Sequence, residues 1–277
     1  MKTLRGKVAV VTGASRGAGR AIAHTLGERG ATVYVTGRTT RGSAAPDGMP
    51  GTIDDTADEV TALGGQGIAV RCDHSVDADV QALFARVAGE RGRVDLLVNN
   101  AWSGYEGHAA GLPMDPFWTL SATYWDSMFT TGVRGALVAS SLAAPMMAAA
   151  GRGLIVNTIA WLEGGYLGHL YYDLAKAALV RMAFGMAAEL REHGVAAVAL
   201  APGWMRTERV MAAHQRGGFD LSATETPAYL GRAVAALVED EQVMRWSGQV
   251  LAVGALARMY GFTDVDGTQP EVFRVAA

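Results

Sequence analysis

The sequence holds a single cysteine, Cys72, among 277 residues. That excludes an internal disulfide framework and any zinc or iron–sulfur site built on cysteines. Prolines number 8, too few for Pro-rich linkers, and the 35 glycines follow no three-residue period, so a collagen-like chain is excluded too. Charge is scarce: Asp, Glu, Lys and Arg make up 18% and the formal net charge is −3, which leaves no electrostatic footprint for nucleic acid or an anionic membrane. Long apolar runs are also missing. Val8–Val11, behind the basic start, runs into Thr12-Gly13 and is too short for the core of a signal peptide. The stretch from Leu137 to Val156 is broken by Pro145, Gly151, Arg152 and Gly153, short of the roughly 20 apolar residues of a spanning helix. No His, Asp or Glu spacing suggests a metal site. The shortages predict a soluble, cytoplasmic protein with a small-molecule substrate, no nucleic-acid or membrane partner and no metal.

What is present is alternation. Short β-branched runs at Val8–Thr12, Thr32–Thr36, Ile68–Arg71, Leu96–Asn99, Leu154–Thr158, Ala197–Ala201 and Gln249–Val253 alternate with Ala-rich helical stretches near Gly17–Arg29, Thr52–Leu63, Ala78–Arg91, Thr123–Ala149, Tyr172–His193 and Pro227–Asp240. The pattern is that of βαβ units. It predicts an α/β fold: one doubly wound Rossmann-type domain over residues 1–277, with a seven-stranded parallel sheet and helices on both faces. Gly30, Gly64, Gly92 and Gly194 follow four of the helices, where a left-handed residue is wanted. Thr226-Pro227 reads as an N-cap followed by proline at the first helical position. Residues 38–51, 102–119 and 204–226 exceed minimal connections, and residues 255–277 form a C-terminal extension. Long loops at the carboxyl ends of parallel strands are where ligands sit, so 102–119 and 204–226 are the candidate substrate loops.

Three constellations carry chemistry. In Val8-Ala-Val-Val-Thr-Gly13-Ala-Ser-Arg-Gly17-Ala-Gly19 an apolar strand enters a Gly-rich turn and then a helix. Small residues admit a pyrophosphate to the backbone, and the helix N-terminus offers free N–H groups, so this reads as a dinucleotide cradle, the alternative being a tight turn with no ligand. Arg38 ends the second strand, where a cofactor with free ribose hydroxyls usually meets Asp or Glu. With Arg16 in the turn, and Arg41 either near or merely solvated, the guanidinium groups favour NADP(H) over NAD(H). Tyr172 and Lys176, at i and i+4, share a helix face. A nearby positive charge lowers the pKa of a phenol, which makes Tyr172 a usable general acid or base.

Together these residues resemble the short-chain dehydrogenase/reductase family over nearly the whole chain. Thr12-Gly13-Ala-Ser15-Arg16-Gly17-Ala18-Gly19 is similar to its cofactor motif, Asp73 to the adenine contact, Asn99-Asn100-Ala101 to the fourth-strand motif, and Tyr172-x-x-x-Lys176 to the active-site pair. Pro202-Gly203-Trp-Met205-Arg-Thr207 resembles the segment that holds the nicotinamide carboxamide. Within the family the likeness is to the subgroup typified by dehydrogenase/reductase family member one, through Val133-Arg134-Gly135, Gly153–Val156 and the tail Leu256–Gly267. The resemblance implies that Tyr172 exchanges a proton with the substrate oxygen while the nicotinamide exchanges a hydride with the carbon, and that Lys176 binds the ribose and lowers the Tyr172 pKa. It also implies a homodimer or homotetramer through the two long helices.

Departures stand beside the likeness. The family has a Ser on its fifth strand about thirteen residues before the Tyr; this chain has Ile159 and Ala160 there, neither of which donates. Thr158, Tyr171, His169 and Trp161 are the candidate replacements. Gly132 stands at the proton-relay Asn position, a trait shared with the subgroup, and Trp102 where the motif continues with Gly. Trp102, Tyr105, Phe117, Trp118, Trp204 and Phe219 make a candidate aromatic wall for a small or medium apolar substrate, and His108, His169 and His214 fall in or near the same loops. Two readings follow: an NADP(H)-dependent oxidoreductase on a carbonyl/alcohol pair, or a cofactor-binding sensor or scaffold with little catalysis.

Overall fold

A strand buried on both faces needs apolar residues at every position, and the central runs supply them. In the computed structural model, which describes residues 2–43, 45, 48–106, 111–160 and 165–273, the strands are β1 (Val8–Val11), β2 (Thr32–Gly37), β3 (Gln66–Arg71), β4 (Leu96–Asn99), β5 (Gly153–Thr158), β6 (Val195–Ala201), β7 (Trp204–Met205), β8 (Thr224–Glu225) and β9 (Val250–Ala252). Seven of them form one sheet in the order β3-β2-β1-β4-β5-β6-β9, and every pairing in it is parallel. The predicted fold class and sheet are those observed. Strands β7 and β8 make a separate two-stranded ladder.

Successive side chains on a strand face opposite ways, and the core divides accordingly. Ala9 and Val11 join one cluster with Ile22 and Leu26 of α1 (Gly17–Glu28), Val60 of α2 (Ile53–Ala62) and Leu230 of α8 (Pro227–Glu239). Val8 and Val10 join the opposite cluster with Leu83 and Phe84 of α3 (Asp77–Arg91) and Met147 of α5 (Gly135–Ala149). The order reverses at β1, whose neighbours are β2 and β4. That switch point opens a crevice at the carboxyl ends of β1 and β4.

The expected glycine stops hold: Gly30, Gly64, Gly92 and Gly194 all have positive φ. Thr226 does occupy the N-cap of α8, but its hydroxyl does not cap the helix. It donates to Asp264 of the C-terminal extension, which also accepts from the Thr226 N–H at 2.8 Å. The extension first forms α9 (Val253–Tyr260) and then reaches the site, where Phe273 lies against Gly203. A second helix absent from the sequence reading, α7 (Glu208–Gly217), lies within the 204–226 loop.

The rod Thr123–Ala149 is long and apolar enough by length and composition to cross a membrane. It comprises α4 (Thr123–Trp125), a π-helical stretch Asp126–Arg134, and α5. Ala139, Ala143 and Met147 on its inner side belong to the core shared with β1, β4 and β5, so the rod covers one face of this sheet.

Candidate active site

The crevice is built by a close approach of two chain turns. Gly13, at φ +65°, leaves no room for a Cβ, which would lie 2.7 Å from the Ala101 Cα. The Thr12 hydroxyl accepts from the backbone N–H groups of Asn100 and Ala101, each at 2.9 Å, while the Asn100 amide donates to the carbonyls of Thr12 and Gly13. Gly13, Ser15, Arg16, Gly17, Ala18, Arg38, Ala101 and Thr207 line one groove of about 240 Å³. Gly19 does not: a Cβ on it would strike the Gly13 carbonyl, so it serves the packing of α1. Asn99 is buried, with its amide on Ser140 and Asn157. Asp73 also lies off the groove, its carboxylate taken by the Ser75 N–H and hydroxyl. Asn100, adjacent to the expected Asn99, is the fourth-strand residue that faces the groove.

The groove is a ready anion site, and the chain itself supplies anions to it. The Gly17 N–H, at the N-terminus of α1, donates to the Glu208 carboxylate at 3.0 and 3.2 Å. A helix N-terminus favours negative charge, and a carboxylate stands here where a pyrophosphate would. At the end of β2 the Arg38 guanidinium pairs with Glu106 and lies 3.7 Å from Asp73. Arg16 donates to the Pro50 and Gly51 carbonyls and the Thr39 hydroxyl. Arg41 is turned outward to Asp55 and Asp58 on α2. The residues present thus fit a dinucleotide: glycines where its backbone approach is needed, and two guanidinium groups near the end of β2.

Tyr172 and Lys176 lie on α6 (Leu170–Leu190), whose N-cap is His169: the Tyr172 N–H donates to the His169 Nδ1 at 3.2 Å. Both line a second cavity of about 520 Å³ with Trp102, Tyr105, Thr158, Ile159, Pro202, Gly203 and Met205. Burial is the main cause that pushes the Tyr172 phenol well above its usual range, followed by the neighbouring Tyr105 phenol, whose ring centroid lies 6.4 Å from that of Tyr172. Burial also raises Tyr105 and lowers Lys176 to about 8. The expected depression of the Tyr172 pKa by Lys176 is therefore not realised in this arrangement. Desolvation sets the shift, and Lys176 is not among its causes.

Of the candidate replacements for the absent Ser, Thr158 turns its hydroxyl to the Asn99 carbonyl at 3.2 Å, and His169 caps the helix. Tyr171 stacks on Tyr124. Trp161 and His108 lie outside the described residues. The phenol beside Tyr172 is that of Tyr105, a residue of the expected aromatic wall. That wall is partly as expected: Trp102, Tyr105, Trp204 and Phe219 line the cavity, with Trp204 stacked on Phe219 at 4.9 Å. Phe117 and Trp118 instead pack on each other and are exposed. His214 stacks edge-on to Phe219.

Beneath Gly203 lies Glu225, buried and not foreseen from sequence. A Cβ on Gly203 would lie 2.7 Å from its Oε2, and the Gly203 N–H donates to it. Its Oε1 has no partner among the described residues. Burial, opposed by that hydrogen bond, raises its pKa to about 7.

Comparison with known proteins agrees with this geometry. The family model described as short chain dehydrogenase matches residues 7–217. The chain belongs to the short-chain dehydrogenase/reductase family. It is 40% identical over 279 residues to dehydrogenase/reductase SDR family member 1 of Mus musculus, covering 95% of this chain and 85% of that one. It is 30% identical over 268 residues to the tetrahydroxynaphthalene reductase of Pestalotiopsis fici, covering 88% and 91%. A solved short chain dehydrogenase of Mycobacterium thermoresistibile superposes with a TM-score of 0.82 at 25% identity, over 98% of this chain and 94% of that one. This short-chain dehydrogenase/reductase is an NAD(P)-dependent oxidoreductase.

Two outcomes follow from the carboxylates. Glu208 competes for the helix N-terminus, an interaction worth about 0.3–1 kcal/mol. Glu208→Gln should therefore tighten cofactor binding roughly two- to fivefold in a calorimetric titration; weaker binding would show that Glu208 supports the groove instead. Burial holds the Glu225 carboxyl at about 7 in the folded state, above the 4.5 of an unburied glutamate. Between these values the folded state holds a proton that the unfolded state has released, so this group's contribution to stability is present below 4.5 and lost as pH rises through 7. Melting temperatures of Glu225→Gln and the parent should therefore agree near pH 4 and diverge above pH 7 in favour of the variant. Parallel curves would refute the assignment.

Proposed function

We propose that this enzyme interconverts a carbonyl and an alcohol on a small or medium apolar substrate with NADP(H), Tyr172 acting as general acid and base. The observation that carries the reading is that Tyr172, Lys176 and the Tyr105 phenol line one cavity with apolar walls. The cofactor, when bound, supplies or accepts the hydride. Tyr172, kept neutral by burial, holds the proton that a developing alkoxide takes up. Tyr105 offers the second hydroxyl that Ile159 and Ala160 do not. Lys176, four residues on, keeps positive charge beside the phenol and meets the ribose. Gly13, Ser15, Gly17, Ala18 and Ala101 border the pyrophosphate and its ribose, while Pro202, Gly203, Met205 and Thr207 flank the nicotinamide. Asn99, Gly19 and Asp73 support the groove from behind.

Arg38 at the end of β2, with Arg16 and Thr39 beside it, supports NADP(H) over NAD(H), because guanidinium groups match a 2′-phosphate. An aromatic lining supports a planar apolar substrate, and a reductase of tetrahydroxynaphthalene is among the relatives. We read the chain as one cytoplasmic domain that self-associates through the rod and α6, whose outward Leu137, Leu174 and Phe184 are exposed. Binding of cofactor without turnover is the competing reading, favoured by Ile159 and Ala160 at the cavity.

The test is consumption of NADPH and NADH over a panel of aromatic ketones and aldehydes. Tyr172→Phe should abolish turnover. Tyr105→Phe should lower kcat by about a hundredfold to a thousandfold, as loss of one oxyanion donor does. Arg38→Ala should erase the preference for NADPH. Tight NADPH binding with no turnover on any member would favour the competing reading.

A further inference from the structure

The indole of Trp102 sits in a slot that two glycines clear. A Cβ on Gly132, in the π-helical stretch, would lie 2.7 Å from its Cε3 and Cζ3; one on Gly104 would lie 2.8 Å from its Cε2 and Cζ2. No side chain at either position leaves room for the ring. Across the ring lies Lys176, its Nζ 4.2 Å from the centroid, and Tyr172 meets the ring edge-on at 5.5 Å and 81°. The ammonium needs such a neighbour. Among the described residues no carboxylate pairs with it, and its one hydrogen bond, to the Thr158 carbonyl, is long at 3.3 Å. A desolvated ammonium over an indole face is held by the ring quadrupole, more strongly than it would be in water.

We propose that Trp102 is a positioning residue: its indole face seats the Lys176 ammonium beside Tyr172, and Gly132 and Gly104 are the spaces that admit it. The proposal rests on the role given to Lys176 above. The cavities that Lys176 lines also hold Tyr172, Asp173 and Arg181 on its own helix, Tyr105 on the segment after β4, and Arg209 on α7, which lies over the Tyr105 ring at 5.5 Å. Asp173 is the only acid in that set. The indole face is thus the main stabiliser of the charge, and its loss should make Lys176 easier to deprotonate.

The experiment titrates Lys176 in the cofactor-free protein by competitive acylation read by mass spectrometry, for the parent, Trp102→Leu, Trp102→Phe and Gly132→Ala. Trp102→Leu should lower the Lys176 pKa by about half a unit or more. In steady state it should lower kcat about tenfold and shift the pH profile with it. Trp102→Phe keeps an aromatic face and removes the indole N–H, so it should retain most of the parent pKa. Gly132→Ala touches neither Lys176 nor the substrate, yet it should shift the titration in the direction of Trp102→Leu, because its methyl displaces the ring. An unchanged Lys176 titration in both Trp102→Leu and Gly132→Ala would overturn the proposal, as would Phe behaving like Leu. Should Trp102→Leu not fold, Gly132→Ala and Phe decide it. The titration needs no turnover, so failure of the assigned reaction would leave it readable.

Discussion

Everything at this site hangs on the contact between the turn after β1 and the end of β4. Gly13 meets the Ala101 backbone with no Cβ between them, and one hydroxyl, that of Thr12, accepts from two successive N–H groups of the other turn. The Asn100 amide closes the same joint from the other side. Buried polar groups of this kind are expensive to leave unpaired, so the joint holds both turns in one geometry. On one side it aims the α1 N-terminus into the groove. On the other it fixes where the chain goes next, and the next residues are Trp102 to Tyr105.

The same joint explains why both long segments are tied to the cofactor groove. Glu208, from the second, accepts from the Gly17 N–H; Glu106, from the first, pairs with Arg38. These positions suit phosphate for the same reason that they suit carboxylate: free N–H groups and guanidinium charge in a partly dry cleft. Occupancy of the groove and the placement of both segments are thereby linked, since an anion that takes either position displaces the carboxylate of a substrate loop. The linkage is thermodynamic and runs both ways.

The sheet was legible in the sequence because its strands are sealed on both faces, which forces unbroken apolar runs, and because glycine is the residue that ends helices in the left-handed region. The rest escaped for identifiable reasons. Helix α7 is only ten residues long and polar on average, and none of them is fully buried, so its few apolar residues are easily read as loop. Thr226 has the chemistry of a cap, yet Asp264, 38 residues away, takes its hydroxyl. Asn99 and Asn100 are alike as residue types, and strand alternation decides which one turns into the sheet. Lys176 was expected to acidify Tyr172, but the depth of the phenol, invisible in a motif, raises it. Glu225 gives no local signal at all, because its burial comes from the turn above it.

The two departures from the family pattern converge on one short segment. Ile159 and Ala160 leave the fifth strand without a donor, and Gly132 leaves the rod without its amide. On the proposed reading both are met by one tetrapeptide directly after β4, where Tyr105 brings a hydroxyl to Tyr172 and Trp102 fills the space over Gly132. Ser103 between them is buried and donates to the Ser127 carbonyl of the π-helical stretch at 2.5 Å. Gly104 is buried against Met128 and the indole itself. A segment held at four successive positions is no longer a free loop. On the proposed reading that fixation matters, since a hydroxyl or an indole placed a few tenths of an ångström wrong gives little advantage.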